Sequence, residues 1–117
     1  IVESGAIIAG GSDAPVERGE ARIEFYAAAV RRDLEGYAGE NWNLDERVDR
    51  ETALKMFTLW PAIASFREDE LGTIEIGKRA DFSVFALDLM TAPDDALKDA
   101  RPVMTVVDGE IVWRAAG

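Results

Sequence analysis

From Ser4 to Gly11 the chain reads SGAIIAGG, an apolar centre without alternation, which is the pattern of a strand buried on both faces in a parallel sheet. Ser12-Asp13-Ala14-Pro15 then breaks the run, because the residue before a proline avoids the α region. A helix is predicted over 20–36: Ile23, Tyr26, Ala27, Val30 and Leu34 recur at helical spacing, Glu24, Arg31 and Glu35 lie off that stripe, and Gly36 is a stop signal. The segment 37–44 reads as a polar loop holding Tyr37 and Trp42, too short to link domains. A second helix is predicted over 49–60, with Asp49 as its N-cap and Glu51 at the positive end of its dipole. Pro61 should kink or restart it through 61–66.

After Glu70 the period changes from helical to two. Residues 71–88 predict a strand, a tight turn at Gly77-Lys78, and a strand in which Phe82, Val84 and Ala86 alternate with Ser83, Phe85 and Leu87. The stretch 90–102 reads as an acidic, proline-punctuated surface loop. In VMTVVDGEIVWR (103–114), Asp108-Gly109 between two β-rich runs predicts a hairpin closed by a type I′ turn. The order is therefore strand, helix, helix pair and a small β-rich end. One parallel-type strand cannot make a sheet, so its partners are expected upstream or in another copy of the chain.

Composition narrows the partners more than the fold. Apolar residues make up 48% of the chain, which argues against disorder. Thirteen basic against 23 acidic side chains give a net charge of −10, a field that repels phosphate backbones and anionic lipid. Nucleic acid and membrane surfaces are thus not expected as partners. No apolar run approaches the roughly 20 residues that span a bilayer. The absence of cysteine removes disulfides and thiolate chemistry and fits a cytoplasmic location. The chain opens at Ile1 rather than Met, which places the expected translation start elsewhere.

Candidate chemistry converges on Asp13. A carboxylate at the C-terminal end of a barrel strand is where such enzymes place metal ligands and general bases. Gly10-Gly11 permits a tight turn, and Ser12 is placed to hold the second carboxylate oxygen. The plainer alternative is a turn whose Asp satisfies nearby backbone N–H groups. Asp94-Asp95 and Glu68-Asp69-Glu70 lack the spacing of a calcium loop and read as solvated. Arg31-Arg32 reads as ordinary ion pairing, and Trp42, Trp60 and Trp113 as core or rim packing. With no histidine there is no Ser/His/Asp set.

The pieces GSDAPV (11–16), AAAVRR (27–32), DRETALKMFTLWPAIASF (49–66), LGTIEIGKRADFSVFALD (71–88) and VMTVVDGEIVW (103–113) together resemble the C-terminal part of the metal-dependent amidohydrolases, in the branch of YtcJ-like proteins and N-substituted formamide deformylases. The chain departs from that pattern at Trp60, where the family more often has Asn, and in 37–46. The resemblance implies an α+β fragment. Residues 1–48 would be the end of a (β/α)8 hydrolase barrel, its eighth strand and following helix; 49–70 a helical link; and 71–117 the C-terminal strands of a small composite β-sandwich. It implies that Asp13 is the strand-eight aspartate that binds metal or takes a proton from the attacking water. The cofactor implied for the complete enzyme is a divalent metal, zinc first, held mainly by histidines. This chain has none, so no metal and no catalysis are expected of it alone. A barrel takes about 250 residues, so most of it would lie outside this chain. The expected partners are the N-terminal portion of the same protein and further copies of the chain. The alternative is a small non-catalytic, self-associating module derived from the family.

Overall fold

The computed structural model describes residues 1–40 and 42–116. Asn41 of the expected loop 37–44, and Gly117, lie outside the described residues. Among the described residues four helices and three strands follow in the order α1 (Ala21–Val30), α2 (Arg50–Met56), α3 (Leu59–Ala64), β1 (Phe82–Phe85), α4 (Asp94–Leu97), β2 (Pro102–Val107) and β3 (Glu110–Arg114), with short 3-10 turns at Val2–Ser4 and Leu44–Glu46.

The first helix ends earlier than its apolar period suggests. Arg31 turns left-handed at φ 53°, with its N–H on the Ala27 carbonyl. The Asp33 carboxylate then accepts from Glu35 and Tyr37 N–H at 3.0 and 2.8 Å, a side-chain turn that competes with further helix. Gly36, the expected stop, sits inside that turn at φ 86°. The buried face is also rotated from the expected stripe, comprising Phe25, Tyr26, Ala29 and Val30 and leaving Ala27 exposed.

Asp49 caps α2 as expected, accepting from Thr52 N–H at 2.7 Å. The break falls at Phe57-Thr58, ahead of Pro61. Pro61 lies in the first turn of α3, where its missing N–H would have had no intrahelical partner. The loop expected over 90–102 instead folds α4 and buries Leu97 and Ala100 completely. Leu97 joins Phe25, Tyr26, Ala29, Val30 and Ala53 in the helical core.

The hairpin forms as predicted. Asp108 and Gly109 take φ 53° and 81°, as a type I′ turn requires, and Val107 faces Glu110. The sheet is antiparallel in the order β1-β2-β3. Its register puts Phe82, Val84, Met104, Val106 and Ile111 on one face and Ser83, Thr105 and Trp113 on the other. Val84 and Ile111 on the apolar face remain exposed. Extensive packing runs helix to helix and strand to strand, so the sheet and the helices form separate clusters.

Two expected strands are absent among the described residues. Residues 4–11 make no ladder, since the sheet holds only strands from the other end of the chain. Residues 71–76 fold as turns, closed by Arg79 N–H on the Glu70 carbonyl at 2.9 Å and by the Thr73 hydroxyl on Glu75. Ile74 and Ile76 stand almost wholly exposed there. A strand needs a neighbour for its backbone groups, and neither segment has one.

The surface is large for the mass. The accessible area is 8222 Å², against about 6,300 Å² for a folded monomer of this size. The radius of gyration is 15.0 Å, where about 13 Å is usual for a compact domain of this length.

Candidate functional site

Asp13 stands at the end of the irregular run 6–12, exposed and with φ 55°. Its carbonyl accepts from Val16 N–H at 2.9 Å, closing a turn across the cis Ala14-Pro15 peptide. Ser12 does not act as expected. Its hydroxyl oxygen accepts from Ala14 N–H at 3.3 Å and shapes the turn backbone instead of holding the Asp13 carboxylate. A Cβ placed on Gly19, at φ 70°, would lie 3.2 Å from Ala14 Cβ and 3.7 Å from Ser12 Oγ, so residues 12–19 fold back on themselves as a hook. The carboxylate, the group with chemistry to offer, is left pointing free of ion pairs among the described residues.

The hook is anchored at its base. Gly10 N–H donates to the Met56 carbonyl at the end of α2, at 2.8 Å, and the Phe57 ring lies against the Gly10 backbone. On the other side, the hook and α1 wall a cleft of about 240 Å³ lined by Glu17, Arg18, Glu24, Tyr26 and Arg32. Burial, and then the neighbouring Glu17 charge, holds the Glu24 carboxyl above the usual range.

Other sequence candidates resolve into structural roles. Arg31 donates to the Trp42 carbonyl at 3.0 Å rather than to a carboxylate. Asp94 pairs with Arg50 at 2.7 Å, and Glu70 with Arg67 at 2.8 Å. Glu68, expected to be solvated, has its Oε2 buried without a hydrogen-bond partner among the described residues. Trp42 and Trp113 are about half exposed, as rim residues. Among the described residues no three His, Cys, Asp or Glu side chains converge to hold a metal ion. No helix among them is long and apolar enough to cross a membrane.

Comparison with known proteins decides the lineage. The sequence model of the amidohydrolase family matches residues 1–113. The chain belongs to the amidohydrolase family. Its relatives include the amidohydrolase-like YtcJ of Bacillus subtilis, 29% identical over 113 residues, a match covering 97% of this chain and 21% of that protein. The N-substituted formamide deformylase of Arthrobacter pascens is 37% identical over 94 residues, covering 80% of this chain and 17% of that one. A crystal structure of an amidohydrolase from Thermotoga maritima superposes with a TM-score of 0.68 at 27% identity, over 97% of this chain and 24% of the other. This chain therefore spans about a fifth of the length of the relatives it matches.

The donor set does not fit a metal. A protein zinc site takes about three or four protein ligands, chiefly nitrogen, sulfur and carboxylate oxygen. This chain has no histidine or cysteine, and among the described residues Asp13 is not part of any group of three side chains that could hold a metal ion.

Proposed function

We propose that this chain is the C-terminal part of a metal-dependent hydrolase of amide-type C–N bonds, and that Asp13 is its catalytic contribution. The observation that carries the reading is the exposed Asp13 carboxylate, without an ion pair among the described residues, on an anchored turn within the region matched to the amidohydrolase family. The Arthrobacter relative is an N-substituted formamide deformylase, which favours the amide class of substrate.

In this reading an Asp13 carboxylate oxygen accepts a proton from the attacking water and returns it to the leaving amine. An amine is a poor leaving group until protonated, so one positioned carboxylate serves both halves of the reaction. The metal's other ligands lie outside these 117 residues, and no step through it is assigned to this chain. Residues 1–48, 49–70 and 71–117 act as barrel end, helical link and sandwich share. The remaining portion of the same protein covers the apolar sheet face.

The test is to purify the protein from its natural gene, weigh it, and assay it on N-substituted formamides and other amides. A mass several times 12.8 kDa is expected, while a mass near 12.8 kDa overturns the larger-enzyme reading. Asp13→Asn is expected to cut turnover by about 10²–10⁴-fold, and undiminished turnover overturns its role.

The excess surface favours a second reading, a self-associating module whose copies cover each other's sheets. Both readings expect the isolated chain to associate. Light scattering at micromolar concentration should give at least a dimer, and a monodisperse monomer counts against it.

A further inference from the structure

Among the described residues no strand pairs with the segment presenting Asp13. Among the described residues, the one backbone hydrogen bond tying 6–12 to the rest of the chain is Gly10 N–H to the Met56 carbonyl, 2.8 Å. Met56 closes α2, so its carbonyl is one of the helix-end acceptors that lack an intrahelical donor. The next residue supplies a second contact. A Cβ placed on Gly10 would lie 2.6 Å from Phe57 Cε1 and 2.9 Å from Cζ, so the ring rests directly on the Gly10 backbone. Gly10 does not have a positive φ, and its lack of a side chain is needed for the ring's approach alone. One contact fixes the segment's distance from the α2–α3 joint, and the other blocks its rotation.

The joint is itself firmly shaped. The Thr58 hydroxyl donates to the Leu54 carbonyl at 2.7 Å, and Phe57 N–H donates to the same carbonyl at 3.2 Å. Beyond it, Gly72 packs so closely that an added Cβ would meet Ala62 Cβ and Leu59 Cα at 2.9 Å. Phe57 therefore stands on a rigid base and bears on a residue three positions before Asp13.

We infer that Phe57 is a positioning residue for Asp13, acting through Gly10. The inference rests on the reading of Asp13 as proton acceptor given above. Proton transfer requires the carboxylate within hydrogen-bond reach of its water, and a displacement of about 1 Å can cost about 10²-fold in rate.

The experiment uses the protein of the natural gene with Phe57→Ala, Phe57→Tyr and Gly10→Ala. Hydrogen exchange is read in peptides covering 6–14 and, as a fold control, 102–114, alongside kcat and KM on an amide substrate. Phe57→Ala and Gly10→Ala should speed exchange of the Gly10 amide, the one in the segment bonded to α2, by about tenfold while leaving the hairpin unchanged. They should lower kcat by about 10²-fold at unchanged KM, with Phe57→Tyr restoring both readouts. Unchanged exchange in 6–14 overturns the inference, as does a rise spread equally over the hairpin. Should Phe57→Ala fail to fold, Gly10→Ala decides, because the three atoms nearest its added Cβ all belong to the Phe57 ring. Faster exchange in 6–14 with an Asp13→Asn protein of full activity would retain the contact and reject the catalytic reading, so the two failures are distinct.

Discussion

At the scale of single residues, carboxylates differ in what the fold does to them. The Asp49 carboxyl is held below its usual range, first by the Thr52 backbone N–H it accepts as an N-cap. Its ionised form therefore stabilises the fold above the unfolded value of about 3.9, and that stability is lost as pH falls through the lower folded value. Glu24 runs the other way. Burial and Glu17 raise it, so its contribution is fully present below the unfolded value of about 4.3 and lost as pH rises through the folded value. Chemical denaturation from pH 3 to 7 should thus show Glu24→Gln more stable than the parent at the upper end. Asp49→Asn, which keeps a good cap, should lose less stability than the parent on acidification, whereas Asp49→Ala should cost about 1 kcal/mol at neutral pH. Capping by Asp49 was legible because an N-cap is a local pattern. The exposed turn at Asp13 was legible for the same reason. The contact that anchors it was not, since Phe57 lies in another element and leaves no periodic trace near Gly10.

Among elements, the α2–α3 joint touches segments from both sides of it in the chain. It meets Gly10 from the N-terminal segment and Gly72 from the approach to the sheet. At Gly72 the constraint is double, because φ is 92° and backbone atoms of Leu59 and Thr58 crowd the missing Cβ. Gly72→Ala should cost about 2–3 kcal/mol, read as a lowered midpoint of denaturation, with the hairpin's own amides still protected. The hairpin is tied differently. Asp108 N–H donates to Asp81 Oδ1 at 2.6 Å and Gly109 N–H to the Ala80 carbonyl at 3.0 Å, so the two β-rich stretches are bonded at the turn. The turn dipeptide announced the hairpin, but the strands expected over 4–11 and 71–76 failed. Apolar periodicity reports which faces a segment could bury and carries no information on whether a neighbour is there to pair with it. The first helix failed at its end for a polar reason, Asp33 recruiting the amides that further helix would have used.

On the scale of the molecule, a net charge of −10 accompanies a surface well above that of a compact monomer. The family was legible in the runs around Gly77-Lys78 and Asp108-Gly109, because turn chemistry survives in a short window. Asp13 was legible as the carboxylate of an exposed turn, and among the described residues no three ligating side chains converge that a sequence pattern could have announced. The apolar sheet face is covered only in part, with Val106 buried but Val84 and Ile111 open to water, and this bears on how the fold responds to its surroundings. Covering apolar surface contributes roughly 25 cal/mol per Å², and whatever covers it binds the folded chain and not the unfolded one. By mass action the melting temperature then ceases to be a constant of the polypeptide. It becomes a function of concentration, climbing with each increment of whatever meets that face.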